Sequence, residues 1–294
     1  MNRNSAFKPI EAAMHIVFLV CGLFAIGFVL LITIYLIISG IPAIREVGLW
    51  NFLFGTVWDS TNKTDPQFGI LPMILTSIYG TCGAVVIGVP IGFLMALFLA
   101  KAAPPKLAAV IRPAVDLLAG IPSVVYGLVG MIVLVPAIRV AFNLPAGDSL
   151  LAAIIVLTIM ILPSIISVSE TALRAVPKEY EEASLALGAT ELETYFRVSA
   201  PAAKSGIAAA VVLGIGRAIG EAMAILMVAG NVANMPSLFK SVRFLTTGIA
   251  VEMAYSSPGS LQRNALYSIG LVLFVFIMLI NVLLNMVLKR DKEK

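Results

Sequence analysis

Two opposite charges, Arg217 and Glu221, interrupt a long apolar stretch of the sequence. They are four residues apart, so a continuous helix would place both on one face. A charge near the middle of a bilayer costs roughly 2.5–3.5 kcal/mol, and charges there are rare and usually functional. Because a guanidinium group matches the oxygens of a phosphate-like anion, we interpret this pair as part of a translocation path for an anion. Arg217 would attract the anion, and Glu221 would weaken its hold enough for release.

The alternative is a structural role for the same two residues. Arg217 and Glu221 could form a buried pair with each other, or pair with charges on another subunit. The Gly216-xxx-Gly220 pattern around them permits close helix packing.

Other residue types that carry chemistry are scarce. The chain has one histidine, His15, and two cysteines, Cys21 and Cys82, so the sequence indicates neither a metal site nor a disulfide framework. The Gly-x-x-x-x-Gly-Lys-Ser/Thr pattern of a phosphate-binding loop is absent from the sequence. No catalytic signature appears, so we expect the chain not to be an enzyme and to bind no cofactor, and any energy from ATP must come from a separate subunit.

The most polar segment, residues 175–204, predicts two short helices that meet at a glycine. Gly188 can end the first helix in a left-handed conformation. Thr190 followed by Glu193 is a capping box for the second helix, which Pro201 limits. The small residues of the first helix favour a surface that another protein contacts closely: Ala183, Ser184 and Ala186. The alternative is a soluble linker between membrane spans.

The composition places these features in a membrane. Apolar residues make up 60% and charged residues 12% of the chain, against roughly 45–50% and about 25% in soluble domains. Six segments are long and apolar enough to cross the bilayer, namely 16–38, 70–100, 117–138, 149–169, 205–230 and 265–288. The sequence thus predicts an all-α integral membrane protein with six transmembrane helices.

These spans divide the chain into four parts. Residues 1–39 form a tail and the first span, and residues 40–69 form a periplasmic or interfacial loop with Trp50 and Trp58. The main membrane domain covers 70–288, with the third span broken at Gly120-Ile121-Pro122, the polar segment 175–204 and a long external loop at 231–264. Residues 289–294 form a second tail. Asp116 and Glu170, near span ends, are expected to be solvated or paired.

The distribution of basic residues predicts the orientation. Thirteen of the 20 Lys and Arg residues fall on the side of the termini and the 175–204 segment, and six fall on the other side. The positive-inside rule therefore makes the termini and this segment cytoplasmic. The net charge of +4 requires no nucleic-acid partner, and lipid is the expected surrounding.

The polar segment resembles the EAA motif of bacterial ABC importer permeases, E-A-A, three residues, Gly, nine residues, Ile, one residue, Leu-Pro. The matching positions are Glu182-Ala183-Ser184, Gly188, Val198 and Ala200-Pro201. Ser184, Val198 and Ala200 depart from the pattern by small or apolar replacements. The resemblance implies a type-I importer permease fold, of the MetI-like kind, in which this helix–Gly–helix loop couples to the ATPase.

Three further stretches are similar to the permeases of phosphate importers: GIPSVVYGL at 120–128, GRAIGEAMA at 216–224 and ALYSIGLVLFVFIMLINVLLN at 265–285. The stretch GEAMAILMVAGN at 220–231 resembles the PstC type of these permeases more than the PstA type. The resemblance implies phosphate import across the bacterial inner membrane. It also implies a PstA-like second permease, two ATPase subunits holding ATP and Mg²⁺, and a periplasmic phosphate-binding protein. The alternatives are a molybdate or sulfate permease, an ATP-independent carrier or channel, and a membrane scaffold.

Overall fold

The computed structural model describes residues 8–62 and 64–290. Within these residues, five helices are long and apolar enough to cross a membrane, at Ala13–Val47, Leu71–Ala102, Ser123–Ala141, Leu150–Arg174 and Leu261–Leu283. A sixth crossing results if Glu191–Ala202 and Lys204–Gly220, bent by 73° from each other, are taken together. The all-α membrane architecture predicted from the sequence is therefore confirmed. The predicted tails lie partly outside the described residues, at 1–7 and 291–294.

Helices account for nearly all of the regular structure. They are α1 Lys8–Val47, α2 Leu49–Phe54, α3 Leu71–Leu97, α4 Pro105–Gly120, α5 Ser123–Val129, α6 Val135–Ala141, α7 Leu150–Arg174, α8 Lys178–Ala186, α9 Glu191–Thr194, α10 Ala200–Ala202, α11 Lys204–Gly220, α12 Met223–Val228, α13 Leu245–Glu252 and α14 Leu261–Arg290. Wider, π-helical turns follow α3 at Phe98–Ala102, join α5 to α6 at Gly130–Leu134, and join α9 to α10 at Tyr195–Ser199. Strands β1 (Trp58–Asp59) and β2 (Gln67–Phe68) form a small antiparallel pair.

Helix α7 is the centre of the bundle, and α3 packs closely along it. Glycines on α3 make this approach possible, because a Cβ atom at Gly88 or Gly92 would lie 2.8 or 2.7 Å from a side-chain atom of Ile161 or Ile165. Both isoleucines are buried in the main core. Small residues facing branched ones let the two helices approach at van der Waals distance, which is how helices associate in lipid.

Helix α1 is longer than the predicted first span and continues through Pro42 to Val47. The expected start of a loop at residue 40 is therefore wrong. Packing explains the extension, since Ala43 is fully buried in an outer core cluster and the Ser268 hydroxyl donates a 2.7 Å hydrogen bond to the Gly40 carbonyl. Tertiary contacts with α14 outweigh the hydrogen bond that proline removes. Elsewhere, α1 leaves most of its apolar surface exposed.

The two segments predicted as external loops contain helices. In the first, α2 presents Trp50 and Phe54 as a stacked, exposed pair with ring centroids 5.2 Å apart, as expected of an interfacial helix. In the second, α13 returns to the bundle and buries Leu245 in the outer core.

The predicted break at Gly120-Ile121-Pro122 is confirmed. Helix α4 ends at Gly120, and α5 begins at Ser123 with Pro122 as its cap residue. The Tyr126 hydroxyl donates a 2.7 Å hydrogen bond across the break to the Leu118 carbonyl. Residues 117–120 therefore belong to α4 rather than to the third span.

Candidate functional site

The fifth span is interrupted at the charged residue that the sequence placed in its middle. Helix α11 ends at Gly220, Glu221 has an extended backbone (φ −71°, ψ 132°), and α12 begins at Met223. The prediction of one continuous helix over 205–230 is wrong. Arg217 therefore lies within α11, whereas Glu221 lies just beyond its last residue.

Glu221 stabilises this break with both its side chain and its main chain. Its carboxylate accepts a 3.0 Å hydrogen bond from the Ala224 N–H, one of the free donors at the start of α12. Its carbonyl accepts a 2.8 Å hydrogen bond from the Thr246 hydroxyl of α13. Sequence reasoning missed Thr246, since nothing in the local pattern links it to a residue 25 positions earlier.

Arg217 is half-buried, one turn before the break. In the part of the chain that the structure describes, it forms no salt bridge with Glu221 or with any other carboxylate. Its neighbours Gly216 and Gly220 are exposed, and a Cβ atom at either would meet no atom within 4 Å. The face beside the guanidinium is thus open, and the structural alternative of a pair with Glu221 is not what the geometry shows.

The segments that follow the two helix breaks pack against each other. A Cβ atom at Gly127 of α5 would lie 2.9 Å from the Ala224 Cα of α12, and one at Gly130 would lie 2.8 Å from a methyl group of Val228. Helices α5 and α12 are therefore in close contact. Interrupted spans leave main-chain groups unpaired, which membranes tolerate only inside protein or beside water.

The polar segment folds as the sequence predicts. Helix α8 is followed by Gly188 in the left-handed region (φ +90°), where an L side chain is strained. Thr190 and Glu193 form the expected capping box at the start of α9. The Glu193 N–H donates a 3.3 Å hydrogen bond to the Thr190 hydroxyl, and the Thr190 N–H donates a 3.1 Å hydrogen bond to the Glu193 carboxylate. We call this helix–Gly–helix segment, residues 175–204, the coupling loop.

The residues that match the EAA pattern divide between the surface and the interior of this loop. Glu182, Ala183, Gly188 and Pro201 are exposed. The Ser184 hydroxyl lies 2.9 Å from that of Thr194 and joins α8 to α9. The structure therefore brings these residues together in one compact unit, with most of them on its outside.

The outer surface of the coupling loop is apolar at its turn. Leu187 is 90% exposed beside Gly188, and Tyr180, Leu192 and Phe196 are also exposed. Large apolar side chains clustered at an exposed tip indicate a contact with another protein.

The inner surface of the loop is held by charges. Lys101, at the end of the second span, forms a salt bridge with Glu181 of α8, and the Ser199 hydroxyl donates a 2.7 Å hydrogen bond to the same carboxylate. Sequence reasoning missed this pair because its members are 80 positions apart and no local pattern joins them.

A second charged cluster lies at the end of α7. Glu170 is buried and accepts from Arg112 at 2.6 Å and from Arg174 at 2.9 Å, so its expected pairing is confirmed. Asp116 is exposed, as a solvated residue would be, and lines a cavity of about 270 Å³ with this cluster. No group of three or more possible metal ligands occurs within residues 8–62 and 64–290.

Comparisons with known proteins agree with this architecture. Residues 88–291 match the family described as "Binding-protein-dependent transport system inner membrane component". The probable ABC transporter permease protein YqgH of Bacillus subtilis is 42% identical over 270 residues, which cover 90% of this chain and 87% of that protein. The phosphate transport system permease protein PstC of Haemophilus influenzae is 35% identical, over 90% of each chain.

Two solved structures show the same fold. The inward-facing MetNI methionine ABC transporter aligns with a TM-score of 0.56 and 22% identity, over 76% of this chain and 94% of that one. A bacterial alginate ABC transporter, in complex with an alginate pentasaccharide-bound periplasmic protein, aligns with a TM-score of 0.62 and 16% identity, over 96% and 95%. With its matched residues 88–291 and its PstC-type relatives, the chain belongs to the family of binding-protein-dependent transport system inner membrane components, the permease subunits of ABC importers.

Proposed function

We propose that the chain is one of two membrane-spanning subunits of an ATP-driven importer that carries inorganic phosphate across the bacterial inner membrane. The relatives named as phosphate permeases, at 30–35% identity, support the substrate. The part of the proposal that concerns anion binding rests on one observation in the fifth span. Arg217 is a half-buried cation beside an open glycine face, without a salt bridge in the described residues.

In this proposal, Arg217 supplies the positive potential that draws phosphate into the path. Its guanidinium can donate two parallel hydrogen bonds to phosphate oxygens, and in the low dielectric of a membrane these are strong. Glu221 keeps the span broken through its bonds to Ala224 and Thr246. Its negative charge also limits how tightly the path holds an anion, so that phosphate can leave.

The coupling loop would convert ATP hydrolysis into movement of the spans. The exposed residues Glu182, Ala183 and Gly188, with Leu187 at the tip, would sit in a cleft of the ATPase subunit. ATP and Mg²⁺ would be bound there, and this chain would need no cofactor. The exposed apolar tip supports this role, since it would otherwise be in water.

The remaining partners follow from the same architecture. A PstA-like permease would complete the path, two ATPase copies would bind the two coupling loops, and a periplasmic protein would deliver phosphate. The alginate transporter structure, which contains a periplasmic protein, supports the last of these. The excess of Lys and Arg on the coupling-loop side supports cytoplasmic termini.

The assembly is tested by purifying the tagged chain from its native cell in a mild detergent and identifying the associated proteins by mass spectrometry. We expect an ATPase and a second permease in stoichiometric amounts. Recovery of the chain alone or as a homodimer would contradict the proposal and favour a carrier or a scaffold.

A further inference from the structure

The end of α3 nearest the coupling loop is a π-helical turn, Phe98–Ala102. Such turns leave main-chain groups without their usual helical partners and often occur at functional sites. Here the Leu99 carbonyl accepts hydrogen bonds from the guanidinium groups of Arg112 at 3.0 Å and Arg174 at 3.4 Å. One widened turn therefore ties α4 and α7 to the end of α3.

The same turn is also tied to the coupling loop. The Lys101 ammonium forms a salt bridge with Glu181 of α8, and these side chains are only 9% and 18% exposed. The Tyr195 hydroxyl donates to the Lys101 carbonyl at 3.3 Å, and the Ser199 hydroxyl donates to Glu181 at 2.7 Å. An ion pair shielded in this way is costly to break, because each charge alone would stay buried.

The connections form one continuous network from the loop into the bundle. Arg112 and Arg174, which bind the Leu99 carbonyl, also share the buried carboxylate of Glu170. The loop is therefore joined to the π-helical turn by Lys101–Glu181, and the turn is joined to α4 and α7 by the two arginines. Networks of ion pairs and hydrogen bonds that join packed elements can carry a displacement from one element to the next.

We propose that Lys101 is the positioning residue through which the coupling loop moves α3, α4 and α7 as one body. This inference rests on the proposed function, because it takes closure of the ATPase as the source of the movement. Without the Lys101–Glu181 pair, the loop shifts against the end of α3. ATP is then hydrolysed with little transport.

The rigid connection is tested by a distance measurement in the assembled complex. Spin labels are attached at Ala102→Cys and Lys178→Cys, both exposed positions, after the free Cys21 and Cys82 are replaced by serine. In the otherwise unchanged complex, we expect the same distance in the nucleotide-free and ATP-trapped states. The Lys101→Met substitution keeps the length of the side chain and removes its charge. In this variant, we expect the distance between the labels to differ between the nucleotide-free and ATP-trapped states.

The functional consequence is measured as substrate uptake per ATP hydrolysed in proteoliposomes. For Lys101→Met, we expect ATP hydrolysis to continue and uptake per ATP to fall roughly tenfold. The reversed pair, Lys101→Glu with Glu181→Lys, restores the ratio, which a general loss of folding would not allow. Lys106→Met is the matched control, since Lys106 is exposed and takes part in none of the salt bridges of the described residues. It should behave as wild type.

The two measurements separate this inference from the assignment of substrate. A Lys101→Met complex with an unchanged distance and normal uptake per ATP would overturn the positioning role. A second outcome is that neither the wild-type complex nor the Lys101→Met complex takes up phosphate, although the wild-type complex hydrolyses ATP. If the distance then changes between states in Lys101→Met alone, the positioning role stands and the substrate is another oxyanion.

Discussion

The hydroxyl of Thr246 donates a 2.8 Å hydrogen bond to the main-chain carbonyl of Glu221. Glu221 is the point at which the fifth span breaks, and Thr246 belongs to α13, which folds back against the bundle. Next to it, the Leu245 N–H donates a 3.1 Å hydrogen bond to the Ser77 hydroxyl of α3. The break in the fifth span is thus connected through α13 to the second span.

Replacing Thr246 with valine removes this hydrogen bond and keeps the shape of the side chain. The Glu221 carbonyl then loses its partner, and we expect uptake by the assembled complex to fall roughly twofold to tenfold. Thr171→Val is the control, since the Thr171 hydroxyl bonds within its own helix to the Ser167 carbonyl. Equal losses in both variants would show that Thr246 has no special relation to the break.

Substitutions at Gly188 should separate ATP hydrolysis from transport. Gly188 has φ +90°, a conformation that costs a branched residue about 1–3 kcal/mol. We expect Gly188→Val to distort the turn between α8 and α9, so that ATP hydrolysis persists without uptake while the subunit stays in the membrane. Gly188→Asn, which tolerates the left-handed region, should retain most of the uptake. Normal uptake by the valine variant would rule out the role of the coupling loop.

Substitutions at Arg217 test the path. Arg217→Gln removes the cation, and we expect it to abolish phosphate uptake while the complex still assembles, because Arg217 forms no salt bridge among the described residues. Glu221→Gln keeps an oxygen that can accept from the Ala224 N–H and should also assemble. The measurements are complex yield by size-exclusion chromatography and uptake in proteoliposomes. Failure of Arg217→Gln to assemble would instead support a structural pairing with another subunit.

Glu252 should contribute strongly to stability at the opposite end of α13. Its carboxylate accepts from Arg243 at 2.5 Å, Trp58 at 2.8 Å, Ser60 at 2.7 Å and Gln262 at 3.3 Å. Breaking a fully buried ion pair costs about 3 kcal/mol or more, and this pair is only partly buried, so we expect a smaller cost: Glu252→Ala should lower the thermal midpoint of the complex in detergent by a few degrees. Glu252→Gln retains an acceptor and should lower it less. Equal midpoints for wild type and Glu252→Ala would contradict this role.

Local patterns predicted the parts of the protein that short-range interactions determine. The Thr190–Glu193 capping box and the left-handed Gly188 depend on a few neighbouring residues, and both are confirmed. The break at Gly120-Ile121-Pro122 follows from proline chemistry alone. Apolar length likewise identified five of the six predicted spans, each of which is a long apolar helix among the described residues.

The features that the sequence did not predict depend on contacts that form only in the folded protein. The segment around Glu221 contains no proline and reads as helix, yet a bond from Thr246 and the bond to Ala224 hold it extended. Helix α1 continues through Pro42 because α14 packs against it. The Lys101–Glu181 pair joins two elements whose proximity only the fold establishes.

The most direct test of the account is phosphate uptake by the purified complex in proteoliposomes, with the periplasmic binding protein outside and ATP inside. We expect uptake that requires ATP, stops when Arg217 is replaced by glutamine, and is not competed by excess molybdate or sulfate. Uptake without ATP, or ATP-driven uptake of molybdate or sulfate in place of phosphate, would contradict the account.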